Sequence, residues 1–581
     1  MNISINNIGI VSAIGNNADE TLNSLKDGRS GIAAMKYLPS THSDLPVGEV
    51  KLSNDAIKEF LGIPNERIVS RTTLLGAMAL KEATNGINLN GKRVALISGT
   101  TVGGMDVTEF VFKRAKDDDA MLQYIKQHDC GSQTKEMAEI VGLQDAEVCT
   151  ISTACSAALN AIIIGCEMLK ANEVDVAIVG GTEALSCFHL NGFNSLMILD
   201  HEPCKPFCRT RQGLNLGEGA AFIVLETQQE HDATHHSFSI AGYANRCDAY
   251  HQTASSSNGE GAFLAMSDAL KMAGLKPSDI DYVNAHGTGT PDNDKSESEA
   301  LRRVFGDSMP PVSSTKSLTG HTTSASGAIE TVISILAMNE GIIPQNAGWQ
   351  ERDDDCIVPS TAPTKKELHA VMCNSFGFGG NDSSLIITQN RKDVCCPTQH
   401  AKCKIIADTE LSSQTELNEL SEYVSPRETR RMGNLLKAAT LTSLKALKQA
   451  GIEKPDAIIT ATSYGMLENS ERFLSDMIEN GEQSLSPTLF MQSTHNTIGS
   501  AIAIRLKCHG YNITYTQGKD SLEWAMRDAE RLIATGKAET VLVGVHDEAT
   551  PWFQSFYKRM NLTEPKELYS RVIILKRDVL Q

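Results

Sequence analysis

Four short stretches of the sequence hold side chains that can do chemistry. In Ile151-Ser-Thr-Ala-Cys155-Ser-Ala-Ala-Leu159 a β-branched run ends in small residues and a helical pattern begins. A cysteine at that junction lies where backbone N–H groups point and where a helix dipole lowers a thiol pKa. Cys155 is therefore a candidate nucleophile, although a buried structural cysteine fits the same pattern. Asn284-Ala-His286-Gly-Thr288-Gly-Thr290-Pro291 follows the strand-like Ile280–Val283, and Ser313-Ser-Thr-Lys316-Ser-Leu-Thr-Gly320-His321 precedes the helix-like Ala325–Met338. Each sets a histidine among small residues at a strand end, where a substrate can approach the backbone. A lone histidine there is usually a satisfied core or surface residue, but two in matching settings raise the odds of a site. Asn374-Ser-Phe376-Gly377-Phe378-Gly379-Gly380 reads either as a plain turn or as an aromatic gate over a pocket. A thiol with two neutral imidazoles suits carbon–carbon bond formation through thioesters. Sulfur serves as nucleophile and leaving group, and neutral donors stabilise an enolate that a strong acid would quench.

The elements that must position these groups alternate along the chain. Val94–Ser98, Val174–Gly180, Ala457–Thr462 and Thr540–Gly544 are short, apolar and β-branched-rich, as strands buried on both faces are. Helical periodicity lies between them, as in Leu74–Ala83 and Ala158–Leu169, which predicts an α/β fold with a largely parallel sheet. The clearest break is the polar segment Arg391–Ala401. An internal repeat is also present. Ala95-Leu-Ile-Ser-Gly-Thr-Thr-Val-Gly103 aligns with Ala457-Ile-Ile-Thr-Ala-Thr-Ser-Tyr-Gly465 at an offset of 362, and the segment from Glu173 to Gly180 aligns with that from Lys537 to Gly544 at 364. Two separated matches at nearly one offset predict that the chain after about residue 403 duplicates its first 200 or so residues.

Composition narrows the function. The chain has 581 residues, which suggests roughly four ordinary domains, and its 41% hydrophobic and 21% charged content is that of a globular protein. With 53 basic and 71 acidic residues the net charge is −18, which argues against non-specific nucleic-acid binding and adhesion to an anionic membrane. No apolar run reaches the eighteen or so residues of a spanning helix, and Met1-Asn2-Ile3-Ser4-Ile5-Asn6 carries no basic leader region, so a cytoplasmic protein is expected. Most of the 14 cysteines should be reduced and buried. Cys204 with Cys208, and Cys395, Cys396 and His400 with Cys403, are ligand types without paired zinc spacing. The second group reads as an exposed linker or, less readily, a zinc site.

Taken together, the four stretches resemble the β-ketoacyl-[acyl-carrier-protein] synthases of the elongating Cys-His-His type, members of the thiolase-like superfamily. The resemblance runs from Ile5-Asn-Asn-Ile-Gly-Ile-Val-Ser12 to Gly380 and includes Cys204-Lys-Pro-Phe207 and Leu216-Gly-Glu-Gly219. It implies a layered α-β-α-β-α fold with halves at 1–235 and 236–390, a linker at 391–402 and an additional thiolase-like half-domain at 403–581. It further implies that Cys155 carries the acyl chain delivered by an acyl carrier protein's phosphopantetheine. His286 and His321 then hold the enolate oxygen formed by decarboxylation of malonyl-carrier protein. The N–H groups of Cys155 and Phe378 form the oxyanion hole, Phe378 with Phe376 forms the gate, and Thr288 and Thr290 bind the pantetheine arm. Lys316 and Glu330 match an ion pair expected to fix the tautomer and orientation of His321. Asp294 and Glu297 also match, with a loop-fixing role the stronger reading. No metal or redox cofactor is required, and family members are usually dimers, so a homodimer or a heterodimer with a related synthase is implied unless the appended copy takes the partner's place.

Two departures point to a specialised synthase. Phe207-Cys208-Arg-Thr-Arg211-Gln-Gly213 lacks the acidic residues of the usual Phe-Asp-x-x-Arg-Asp-Gly, and the usual Gly-Phe-Gly-Gly-Thr-Asn is here Gly377-Phe-Gly-Gly-Asn381-Asp382. In the repeat, Cys155 falls on Lys519 and no second His-Gly-Thr or Gly-His segment follows, so this copy is expected to be silent, like truncated chain-length-factor domains beside polyene-forming ketosynthases. It keeps Ser425-Pro-Arg427-Glu-Thr-Arg430-Arg431-Met432, which resembles the basic helix start that meets an acidic carrier protein. The first copy has the sparser Arg67 and Arg71, and ordinary surface arginines fit both. Three activities compete: a condensing enzyme in polyene, pigment or other specialised acyl-chain synthesis, or in housekeeping fatty-acid elongation; a non-catalytic chain-length scaffold; and a degradative thiolase, disfavoured because its second cysteine is replaced by a histidine.

Overall fold

Two helices of this chain are apolar on every side, and such helices are stable only when surrounded by protein. In the computed structural model, which describes residues 2–112, 114–228, 238–389, 401–411 and 414–578, they lie at its centre. Ala157–Lys170 is buried from Ala157 to Leu169, and Ser326–Glu340 from Ser326 to Met338. They pack on each other at Gly327, where a Cβ would stand 2.8 Å from the Leu159 backbone nitrogen, so only glycine permits this approach. Their N-termini meet, and Cys155 and His321 lie just before them.

Fifteen strands flank these helices in one sheet, five from each of three half-modules. The first half contributes β1 (Asn2–Ser12), β2 (Val94–Gly99), β3 (Glu147–Ile151), β4 (Val176–Glu183) and β5 (Gly219–Gln228). The second contributes β6 (Phe238–Cys247), β7 (Tyr282–Asn284), β8 (Val312–Ser313), β9 (Ala370–Gly377) and β10 (Asn381–Gln389). The third contributes β11 (Lys402–Leu411), β12 (Ala457–Ala461), β13 (Tyr511–Tyr515), β14 (Thr540–Glu548) and β15 (Leu568–Asp578). The order is β11-β15-β14-β12-β13-β3-β2-β4-β5-β1-β6-β10-β9-β7-β8. Each half therefore repeats one pattern: first, fifth, fourth, second, third. The repeated sequence segments fall on β2 and β12 and on β4 and β14, equivalent places in that pattern.

The sheet is mixed rather than largely parallel. Only the second, third and fourth strands of each half run parallel, as β2 does with β3 and β4, β7 with β8 and β9, and β12 with β13 and β14. β1 and β5 pair antiparallel, as do β4 and β5. Parallel neighbours need a crossover, which the helices Cys130–Val141 and Ala157–Lys170 supply; antiparallel ones do not, and no local apolar pattern distinguishes the two.

The third half-module joins the first through β13 and β3, paired antiparallel at Tyr515 and Ile151, with Ser152 N–H donating to Thr514 O and Thr516 N–H to Thr150 O, each 2.9 Å. Around this seam Arg531 donates to Glu173 at 2.7 Å, and Lys537 reaches Glu167 at 2.6 Å. Phe188 and Phe193 pack on Phe490, and Phe188 also meets Phe473. The edge of β3 that would accept another sheet is thus already covered by the chain's own third half. The expected 235/236 boundary and positions 391–400 of the linker, with Cys395, Cys396 and His400, lie outside the described residues, whereas Cys403 lies in β11. Among the described residues no helix is long and apolar enough to cross a membrane.

Candidate active site

Ala154 adopts a left-handed conformation (φ 49°), an unusual state for a residue with a Cβ, and turns the chain sharply from β3 into the helix Ala157–Lys170. Cys155 sits at this elbow, 5% exposed. Its sulfur receives two backbone N–H groups, its own and that of Phe378 in the turn between β9 and β10. His321 Nε2 lies 3.0 Å from Sγ. The His286 ring stands 5.3 Å from that of His321, nearly perpendicular, with Nδ1 unpartnered. All three line a cavity of about 320 Å³ together with Thr288, Thr290, Phe376 and Phe378.

Burial controls the electrostatics. It pushes the Cys155 thiol up to about 12, against the pull of Lys316 and the two N–H groups, so the resting sulfur is protonated. Burial and then the Lys316 ammonium hold both His286 and His321 well below the usual imidazole range, so both rings are neutral at pH 7. Lys316 is fully buried against Glu330, whose carboxyl burial raises and Lys316 lowers. The expected role of this pair needs correction. The ring partner of His321 is Ser326 Oγ, 3.1 Å from Nδ1, because the helix Ser326–Glu340 begins just beneath the imidazole. Lys316 acts on the histidines through its charge. Glu297 accepts the N–H groups of His286 (2.8 Å) and Gly287 (2.7 Å), and Asp294 those of Phe207 (2.7 Å) and Gly289 (3.2 Å), so both carboxylates hold loops.

Three family models match this chain: beta-ketoacyl synthase, N-terminal domain, over residues 1–231; beta-ketoacyl synthase, C-terminal domain, over 237–350; and again an N-terminal domain over 407–576. The chain is 32% identical over 418 residues to a 3-oxoacyl-[acyl-carrier-protein] synthase 2 of Coxiella burnetii, a match spanning 66% of this chain and 98% of that protein. It belongs to the β-ketoacyl synthase family. Nodulation protein E of Rhizobium meliloti is 31% identical over 414 residues, covering 66% of this chain and 98% of that one. The solved ketosynthase ApeO in complex with its chain length factor ApeC, from Xenorhabdus doucetiae, is 31% identical, with a TM-score of 0.59 over 67% of this chain and 98% of that one. The PfaC ketosynthase–chain length factor superposes over 99% of this chain and 78% of its own, with a TM-score of 0.78 at 16% identity, a likeness of fold.

Of the remaining candidate residues of this β-ketoacyl synthase, Thr288 and Thr290 line the cavity and the others lie away from it. Thr288 and Thr290 hydroxyls lie 2.9 Å apart there. Thr253, which also lines the cavity, donates to the Met491 sulfur at 3.8 Å, and the adjacent Gln492 donates to the Arg431 carbonyl at 3.2 Å. Arg427, Arg430 and Arg431 of the third half are exposed. Arg67 is exposed and paired with Glu136 at 2.7 Å. Arg71 is not a surface cation: it is buried, with Nη2 2.6 Å from Glu218 and 3.2 Å from Val50 O, because its helix start faces the core. Arg211 pairs with Asp353 (2.5 Å) and approaches Asp294 (3.6 Å), so acids from elsewhere replace those missing beside it in sequence. Cys204 is buried and donates to the Lys316 carbonyl at 3.6 Å, while Cys208 lies 3.3 Å from Thr210 Oγ1.

Sequence reasoning missed Ser326 and Glu183. The latter is buried at the end of β4, where it accepts from Ser324 Oγ and, at 2.6 Å, from Thr101 N–H; burial pushes its carboxyl up to about 7. The repeat carried a signal for it, since an offset of 364 lands on another acid, Asp547. Ser326 had none.

Proposed function

We propose that this β-ketoacyl synthase loads an acyl chain onto Cys155 from an acyl carrier protein and extends it with malonyl-carrier protein, serving a specialised pathway such as polyene or pigment synthesis. The observation that carries the chemistry is the contact between Cys155 Sγ and His321 Nε2, with two N–H groups aimed at the same sulfur. In loading, Sγ attacks the thioester carbonyl as Nε2 takes its proton. The carbonyl oxygen gathers charge between the N–H groups of Cys155 and Phe378, and the pantetheine sulfur leaves with the proton returned by His321. Burial and Lys316 disfavour the imidazolium, so the proton is not retained. In condensation the malonyl C–CO2 bond breaks and its electron pair forms an enolate whose oxygen receives N–H bonds from His286 and His321. CO2 leaves, the enolate carbon attacks the acyl carbonyl, the bond from that carbonyl to Cys155 Sγ breaks, and the thiolate takes a proton from solvent. Ser326 supports both steps, because a hydroxyl can accept from or donate to Nδ1 and so permits either His321 tautomer.

In this reading Thr288 and Thr290, which line the cavity, bind the pantetheine arm, and the exposed Arg427, Arg430 and Arg431 receive the acidic carrier. The third half takes the place that a partner subunit would occupy along β3. The ketosynthase–chain length factor neighbours support the specialised reading, whereas the 3-oxoacyl-[acyl-carrier-protein] synthase 2 relatives favour fatty-acid elongation as the second one. Mass spectrometry of Cys155 after incubation with a panel of acyl-carrier proteins separates them. Preferential loading of unsaturated chains is expected; preference for saturated chains supports elongation, and no acylation by any carrier overturns the condensing role.

A further inference from the structure

The turn that carries Phe378 is held from two sides: within its own half Gly379 N–H donates to Gln252 O at 2.6 Å and Asp248 N–H to Gly380 O at 2.8 Å, and the third half-module supplies the rest. Gly379 (φ 85°) and Gly380 (φ 76°) lay it flat against the third half-module, so closely that a Cβ at Gly379 would stand 2.1 Å from Ser500 Oγ. Asn496 Nδ2 donates to the Phe378 carbonyl at 2.9 Å and to Asn381 Oδ1 at 2.8 Å. Ser500 Oγ donates to Asn381 Oδ1 at 3.4 Å, and Asn381 Nδ2 donates to the Asn512 carbonyl at 3.0 Å. Asn381, Asn496, Ser500 and Asn512 are each at most 1% exposed. Asn381 is one of the two departures from the family's usual turn sequence, and its side chain spends its hydrogen bonds on the third half.

The Phe378 ring is also restrained. It stacks on Phe193 with centroids 5.7 Å apart, and Phe193 lies edge-on to Phe490 of the third half at 5.5 Å. On the reading of Phe378 as gate, an acyl chain passing Phe193 displaces the Phe378 ring, and rotation of the turn that carries it draws its carbonyl away from Asn496. When the turn is closed, the same contacts hold the Phe378 N–H on the sulfur.

We propose that the catalytically silent half-module latches the acyl gate of the active one. Asn496 is a positioning residue that, through Phe378 O and Asn381, keeps the turn in its closed, oxyanion-binding state and slows its opening for acyl entry. This rests on the reading of Phe378 as gate and of Cys155 as acyl acceptor. Opening must break buried hydrogen bonds, and each such bond stabilises a folded arrangement enough to shift an equilibrium by several-fold.

The test separates the two half-reactions in the full-length protein. In Asn496→Val, loading of Cys155 from an acyl-carrier protein, followed by intact mass, should accelerate about five- to tenfold, while condensation by the preloaded enzyme with malonyl-carrier protein slows several-fold. Asn381→Thr, which removes the acceptor while leaving Asn496 in place, should act in the same direction, and the double variant should add less than the product of the two. In a Phe378→Ala background, Asn496→Val should leave loading unaltered. Loading and condensation that are both unchanged, or that fall in equal proportion, overturn the latch; so does an undiminished Asn496 effect without the Phe378 ring. Failure of the unsubstituted protein to acylate at all counts instead against the condensing function.

Discussion

The elbow that presents Cys155 is built twice in this molecule, once with a cysteine and once with a lysine. In the first half a left-handed Ala154 precedes Cys155 at the start of a buried helix; in the third, a left-handed Gly518 precedes the exposed Lys519 at the start of the helix Ser521–Ala534. The supporting acid is retained as well. Glu183 holds the loop after β2 through Thr101 N–H, and Asp547 holds the loop after β12 through Ser463 and Tyr464 N–H, at 2.7 and 3.1 Å. Backbone scaffold thus outlasts chemistry, because the turn is needed for packing whether or not a substrate arrives. Where the third half has no cysteine at its elbow it supplies contacts: the cover on β3, Phe490 behind Phe193, and Asn496 on the Phe378 turn.

The largest effect should come from exchanging the two elbows' side chains. Cys155→Ala is expected to lower condensation by roughly 10³-fold or more, and Lys519→Cys in that background to restore nothing, since no histidine pair converges there. Acylation of Lys519→Cys by an acyl-carrier protein would break the comparison. Next is the seam. Arg531→Ala leaves the buried Asp528 (3.0 Å away) without its cation and Glu173 with Arg527 alone, and should cost about 3–5 kcal/mol in chemical denaturation, with activity lost as the seam opens.

Titration sharpens the contrast further. Because burial raises the Cys155 thiol to about 12, its alkylation rate should climb about tenfold per pH unit through pH 9 without levelling. The exposed thiol of Lys519→Cys should level off near the ordinary cysteine pKa of about 8.5. Over pH 6–7 the condensation rate should show no step from His286 or His321, whose depressed pKa values keep both neutral throughout that range. The smallest effect concerns docking. Reversing Arg427, Arg430 and Arg431 to glutamate should weaken carrier affinity several-fold at low salt, and less at high salt, in a binding titration; unchanged affinity removes the third half from carrier recognition.

Much of this was legible in the chain order. Cys155, His286 and His321 each lie in a small-residue stretch at a strand end, and the duplication was visible at Ala457–Gly465 and Lys537–Gly544. The mixed strand directions were not, because β5 looks as apolar as the parallel strand β4 beside it. Arg71 reads as a surface cation until its helix start is seen to face Glu218. Ser326, one serine among many, gains meaning only from standing 3.1 Å from an imidazole.

The sequence therefore carried the family, the candidate reactive side chains and the lack of a cysteine at the repeat's elbow, since each depends on residue type and on patterns a few residues long. Which half-module touches which was settled by folding. Asn496 and Phe378 are more than a hundred residues apart, and neither has a local signal for the other. Their meeting depends on where β13 pairs with β3 and on how two half-modules pack across that seam, a property of buried surfaces that no single segment encodes.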